Sequence, residues 1–186
     1  RLAGAPKADG AGVTLVVPKE WVIVKSAPLP LAARETLADV VSYELDRLTP
    51  LAAERAYFDF RIMAEEANRI EILLAAMAAD RLDPYLEALE ARKIRVAGVT
   101  VGFFAQGSLG HHLQGGGQTL FAEIDKEGYR VGLIRNGRWK AYRAGNLPAG
   151  DEPSRLRAFA ERIEPLVAQA KRGGGTPDAL LWNAVP

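Results

Sequence analysis

The segment from Leu29 to Arg61, LPLAARETLADVVSYELDRLTPLAAERAYFDFR, most narrows what this chain can fold into. Leu37, Val40, Val41, Leu45 and Leu48 recur at helical steps, which gathers them on one face of an amphipathic helix. Arg34, Glu35, Asp39, Asp46 and Arg47 fall mostly off that face. Pro50 cannot continue a helix and pushes Thr49 out of helical geometry, so one helix is predicted to stop at Thr49-Pro50. Tyr57 to Met63 (YFDFRIM) then alternates as a strand does, with Tyr57, Asp59 and Arg61 on one side and Phe58, Phe60 and Ile62 on the other. This unit specifies an α/β layer and carries no chemistry of its own.

The chain around it reads as further strands and helices. Residues 1–12 are a lead-in or linker. Val13 to Val17 (VTLVV) is a nearly continuous apolar run, suiting a strand buried on both faces. Trp21 to Lys25 (WVIVK) predicts a second strand, with Pro28 and Pro30 ending its pairing. Beyond the opening unit, Glu65-Glu66-Ala67-Asn68 is a turn and Ile70 to Met77 (IEILLAAM) the second arm of a hairpin. A helix from about Asp80 to Lys93 buries Leu82, Tyr85, Leu86 and Leu89. It is capped by Asp80, or by Asp83 with Pro84 in its first turn. Ile94 to Phe104 (IRVAGVTVGFF) is the next strand. The order from Trp21 is β-α-β-β-α-β, the ferredoxin-like arrangement of one sheet with two helices on one face.

Gln106 to Gln118 (QGSLGHHLQGGGQ) reads as a glycine-rich connector and a domain boundary. Thr119–Asp125, Tyr129–Arg135 and Arg138–Tyr142 follow as an antiparallel meander, turning at Lys126-Glu127-Gly128 and at Asn136-Gly137. Pro153 to Ala170 is a helix with Leu156, Phe159, Ile163, Leu166 and Val167 on one stripe, kinked or split at Pro165. Gly173-Gly174-Gly175 is a loop and Ala179 to Trp182 a last short strand.

Composition removes several classes of function. The chain has no cysteine, which excludes disulfides, thiolate metal sites and cysteine nucleophiles. Its 24 basic and 23 acidic residues leave a net charge of +1, which argues against a nucleic-acid partner. The longest apolar runs are far too short to span a bilayer, so no membrane contact is expected of this stretch itself. The start at Arg1, without a signal-peptide pattern, is read as the start of a fragment of a longer protein.

The residues that could carry chemistry have plainer readings. His111-His112 lacks a third ligand at metal-site spacing and reads as a solvated linker. Gly115-Gly116-Gly117 precedes a strand and has no Lys-Ser/Thr after it, so it is not a phosphate loop. Asp125 and Glu127 flank a turn, where carboxylates are ordinary. Glu65-Glu66 is a solvated turn, and no Ser/His/Asp arrangement can be assembled. No catalytic, metal or cofactor site is therefore expected. What remains are surfaces: the helix flank with Glu44 and Arg47, and the strand side with Tyr57, Asp59 and Arg61. That side suits either an interface rim or open solvent, and the sheet edges could accept a strand from a partner.

The run LPLAARETLADVVSYELDRLTPLAAERAYFDFRI, followed by IEILLAAMAADRLDPYLEALEARKIRVAGV, resembles the cytoplasmic region of the general secretion pathway protein L family. That family is related to the pilus assembly protein PilM and, more distantly, to the division protein FtsA. YELDRLTP at Tyr43 to Pro50, then YFDFR, carry most of the resemblance, with LDPYLEALEARKIRV next. It covers roughly residues 13 to 145. It implies an actin-like fold of two ribonuclease-H-like halves with a small inserted subdomain in the first. Residues 1–20 would then be linker and end of the first half, 21–105 an inserted βαββαβ subdomain, and 106–186 part of the second half. The glycine-rich nucleotide loop of the first half would lie before Arg1.

Nucleotide-binding relatives carry Asp-Ile-Gly plus a Thr where the second half begins. Here the matching place reads Glu123-Ile124-Asp125, then Lys126-Glu127-Gly128-Tyr129, and the chain ends in Trp182-Asn183-Ala184-Val185-Pro186 instead of a glycine-rich turn. These departures speak against ATP binding. The resemblance implies a non-catalytic scaffold, the cytoplasmic part of an inner-membrane protein of type II secretion or a pilus system. Its partners would be the secretion ATPase, other platform proteins and a second copy of itself. Two other readings stand beside it: a PilM-like nucleotide-binding ATPase, and a dimerising ferredoxin-like ligand sensor with a buried pocket.

Overall fold

A computed structural model of the chain describes residues 12–172 and 179–184. The lead-in before Gly12, the Gly173-Gly174-Gly175 loop and Val185-Pro186 lie outside the described residues. The chain forms two compact units that divide between Ala105 and Gln106.

In the first unit, β1 (Val13–Val17) pairs in parallel with β5 (Val96–Val101) as a two-stranded sheet. Most of what lies between them in sequence forms a second layer system, while Leu82 of the intervening helix clusters with Val17 and Val101. β2 (Ile23–Pro30), β3 (Ala56–Glu65) and β4 (Arg69–Ala78) make a three-stranded antiparallel sheet in the order β2-β4-β3. The predicted hairpin of β3 and β4 is present, with a bulge between Ile62 and Ala64. Ile70, Ile72, Leu74 and Ala76 of the central strand form the core of this layer, all with 0% exposure. Against them pack Leu37 and Val41 of α1 (Leu37–Tyr43) and Leu45 of α2 (Leu45–Leu48), as the apolar stripe required.

The single predicted helix is divided. Leu31–Thr36 is a tighter 3-10 stretch, and Glu44 forms a joint between α1 and α2. The helical bonds still run through the joint: the Glu44 N–H donates to the Val40 carbonyl and the Leu48 N–H to the Glu44 carbonyl. The predicted stop at Thr49-Pro50 is real. Thr49 is extended, and its buried hydroxyl donates to the Leu45 carbonyl at 2.8 Å while accepting the Leu51 N–H at 3.2 Å.

Several expectations for this unit are overturned. Trp21 belongs to a short 3-10 turn, not to a strand. Pro28 and Pro30 do not end β2 but lie inside its pairing, opposite Glu71 and Arg69. Prolines are tolerated there because β2 is an edge strand. The same prolines explain why the four-stranded ferredoxin-like sheet does not form. Its fourth strand would add to β2, where two N–H groups are missing, and β5 pairs with β1 instead. Nor do the helices share one face. Leu82 of α3 (Ala79–Glu90) packs with Met77, which alternates to the side of β4 opposite Ala76. Neither Asp80 nor Asp83 caps α3; its N-cap is Ala78, with no side-chain bond. β1 is not buried on both faces: Val13 and Val16 are exposed and only Val17 is buried, since a single neighbouring strand covers it.

The residues read as the end of a strand and a connector form a helix, α4 (Gly102–Leu113). Its buried positions, Phe103, Gly107 and His111, fall at steps of one helical turn. The glycines at 115, 116 and 117 do form a loop, each with positive φ.

In the second unit, β6 (Gln118–Ile124), β7 (Gly128–Arg135) and β8 (Arg138–Asn146) form the expected meander. Asn136 and Gly137 both have positive φ, as a two-residue hairpin turn demands. α5 (Glu152–Arg172) then crosses back to β9 (Ala179–Ala184), which lies parallel to β6 and gives the order β8-β7-β6-β9. α5 is not split at Pro165; Ile163 and Leu166, buried on either side, hold both halves to the sheet. Leu120, Ala122, Tyr129, Val131 and Leu133 line the sheet face beneath it. The opposite face receives the indole of Trp139, which lies so close to Gly132 and Gly107 that a Cβ at either would stand 2.2 Å or 2.6 Å from the ring.

Candidate partner surface and the Asp125 turn

The five surface candidates do not form one patch. Phe58 and Phe60 pack on the core that α1 and α2 cover, so Tyr57, Asp59 and Arg61 alternate to the other face of β3. Glu44 and Arg47 sit with the helical layer. Glu44 carries one carboxylate oxygen, Oε2, shut away from solvent without a well-angled hydrogen bond, and the exposed Arg47 guanidinium is its ion-pair partner. On the strand side, the Tyr57 hydroxyl donates to Asp83 Oδ1 of α3 at 2.8 Å. That bond, with some burial, raises the Tyr57 pKa. Asp59 Oδ1 accepts the N–H of Phe60 at 2.9 Å.

The turn between β6 and β7 is built around Asp125. Its Oδ1 accepts the N–H groups of Glu127 and Gly128 at 2.8 and 2.9 Å. Its Oδ2 accepts both terminal nitrogens of Arg130, at 3.1 and 3.2 Å. Arg130 also meets Glu123 Oε1 at 3.2 Å, so two buried carboxylates share one guanidinium. Arg155 of α5 donates to the Asp125 and Lys126 carbonyls. Beside this group, burial pushes the Tyr142 hydroxyl up to about 12, Glu123 adding and Arg130 opposing.

An anion-binding turn works by leaving backbone N–H groups free to face a phosphate. Here a carboxylate from the turn itself already occupies those donors. The sequence marked Asp125 as a departure but missed Arg130, Arg155 and Tyr142. Arg130 was legible in principle: it stands directly opposite Glu123 once the hairpin register is set. The other end of the same sheet face holds His111. It is not solvated. Its Nε2 accepts the Gly137 N–H at 3.1 Å, which leaves the Nδ1–H to donate to Thr119 Oγ1 at 2.9 Å. Tethering α4 to the hairpin is its structural task. Among the described residues no group of three or more His, Asp or Glu could hold a metal ion.

Fold and turn together define an α/β chain whose second unit is three antiparallel strands, a helical crossover and a parallel fourth strand, with the first hairpin closed by its own carboxylate. Among curated proteins, the chain is similar to the type II secretion system protein L of Xanthomonas campestris pv. campestris, at 29% identity over 92 residues, or 46% of this chain. The chain spans about a quarter of that relative, the match covering 25% of its length. No protein-family model matches. Among solved structures, a chain of the PilM-PilN type IV pilus biogenesis complex shares the fold, with a TM-score of 0.55 and 17% identity, over 92% of this chain and 62% of that one. The cytoplasmic domain of EpsL, an inner membrane component of the type II secretion system of Vibrio cholerae, gives 0.47 and 14%, over 96% and 65%. A Bacteroides thetaiotaomicron protein described as having an actin-like ATPase fold gives 0.45 and 12%, over 94% and 60%. The resemblance read from Tyr43–Pro50 and its surroundings thus points to the same proteins as both comparisons.

Proposed function

We propose that this chain is a non-catalytic scaffold from the cytoplasmic side of an inner-membrane secretion or pilus platform, and that it binds the assembly ATPase. The likeness to a type II secretion system protein L supports the platform assignment. The non-catalytic part rests on one observation, the Asp125 turn, whose anion-binding donors are taken by the chain's own carboxylate. In this reading the fold is actin-like. The second unit, from Gln106, is a ribonuclease-H-like half; β1 and β5 belong to the first half; and the β2-β4-β3 layer between them is the inserted subdomain. Co-purification with the cognate assembly ATPase tests the adaptor role. Absence of binding in the apo, ADP and ATP states alike would refute it. The rival reading, a PilM-like nucleotide-binding ATPase, predicts heat on titration of the parent protein with magnesium-ATP, where the scaffold reading predicts none.

A further inference from the structure

The three-stranded sheet has two edges, and they are unlike. β2 carries Pro28 and Pro30, which offer no N–H to an incoming strand. β3, at the other edge, is ten residues long without a proline. Such an edge is a template for strand addition. Tyr57 and Ile62 on it are each 40% exposed.

β3 is also complementary to its own reverse. Around Phe60, Asp59 stands one place before and Arg61 one place after; Phe58 stands two before and Ile62 two after. In an antiparallel pair with a two-fold axis at Phe60, each Asp59 faces the other copy's Arg61, and each Phe58 the other copy's Ile62. Opposite charges meet on one face and apolar groups on the other. Centring the pair on Asp59 or on Arg61 instead sets like charges directly opposite, which is destabilising. The bulge after Ile62 ends the regular stretch just beyond this core. At its centre, the Asp59 carboxylate holds the Phe60 N–H in the single chain. Drawn to the other copy's Arg61, it releases that amide for pairing. We infer that β3 is a self-docking edge, through which two copies of this chain associate by antiparallel pairing centred on Phe60.

Sedimentation equilibrium over a wide concentration range tests this, with circular dichroism and thermal melting as a check on folding. The wild-type chain shows a reversible monomer–dimer equilibrium. D59R and R61D each weaken it about tenfold or more, by setting like charges opposite. An equimolar mixture of the two variants recovers association, because each substituted position then meets the opposite charge. If a reversal unfolds the chain, D59N and R61Q are read instead; each weakens the dimer, and their mixture recovers it only in part, because the mixed dimer keeps one of the two Asp59–Arg61 pairs. A chain that stays monomeric throughout, a dimer indifferent to these substitutions, or charge-reversal variants that fail to recover on mixing would each overturn the proposal.

Discussion

Asp125→Ala is the perturbation that most directly probes the turn closing the β6–β7 hairpin. Asp125 is 9% exposed, and its carboxylate accepts two backbone N–H groups and two Arg130 nitrogens. Glu127 is exposed, so water replaces the carboxylate there at small cost. Gly128 is buried, and its orphaned N–H costs about 1–3 kcal/mol. Arg130 keeps Glu123 at 3.2 Å, so its charge is not stranded, but it loses a charge-assisted pair. That loss is worth about 1.5–3 kcal/mol. The expected total is about 2.5–6 kcal/mol, a large part of the stability of an ordinary domain. Asp125→Asn keeps the acceptor for both N–H groups and turns a donor toward Arg130, so about half the loss is expected. Because the chain has two units, a single global midpoint would mix them. Native-state hydrogen exchange of the β6 and β7 amides resolves the second unit directly. A loss under about 1 kcal/mol for Asp125→Ala, or equal losses for Ala and Asn, would show that the carboxylate does not hold the turn.

Two further outcomes follow from the same sheet. Gly132→Ala puts a Cβ 2.2 Å from the Trp139 ring; the indole must leave its slot, at about 1–3 kcal/mol. Lower urea stability should result, whereas Gly102→Ala, whose Cβ meets nothing nearer than 3.8 Å, should stay near wild type. Tyr142 keeps its proton to about pH 12 when folded, but only to about pH 10 when unfolded. A raised pKa means its stabilisation is complete below about pH 10 and lost as the pH climbs toward the folded value. The loss reaches about 2–3 kcal/mol. Urea midpoints followed from neutral to strongly alkaline pH should fall further for wild type than for Tyr142→Phe, and parallel curves would contradict this.

Local patterns in the sequence were dependable where the local choice agreed with the packing. The stripe of Leu37, Val41 and Leu45, the Thr49-Pro50 stop, the β3–β4 hairpin and the Asn136-Gly137 turn all appear where periodicity and turn chemistry put them. Non-local decisions were not legible in the same way. β5 could have paired with β2 or with β1, and two prolines on an edge decided between them. The α4 segment resembles strand and linker in sequence because its glycines and aromatics are poor helix formers. Packing overrides that preference: Gly107 admits the Trp139 ring, and His111 finds two partners. The spacing of Phe103, Gly107 and His111 was the available signal. At the Asp125 turn, the sequence showed the substituted position but not the shared guanidinium, which depends on register across the hairpin.

The parallel pairing of Val13 with Val96 has a consequence for how the first unit is made. Almost the whole unit intervenes between these two residues, so an unfolded chain bringing them together would lose a great deal of loop entropy. The β2-β4-β3 layer relies on nearer contacts, and its hairpin joins Ile62 to Ile72 across a short turn. It can form early, and once formed it shortens the effective loop that separates β1 from β5. The order of assembly is therefore inside out, with β1 docking last. β1 is then the first element to fray and the last to gain protection, and mutations there should change the unfolding rate far more than the folding rate.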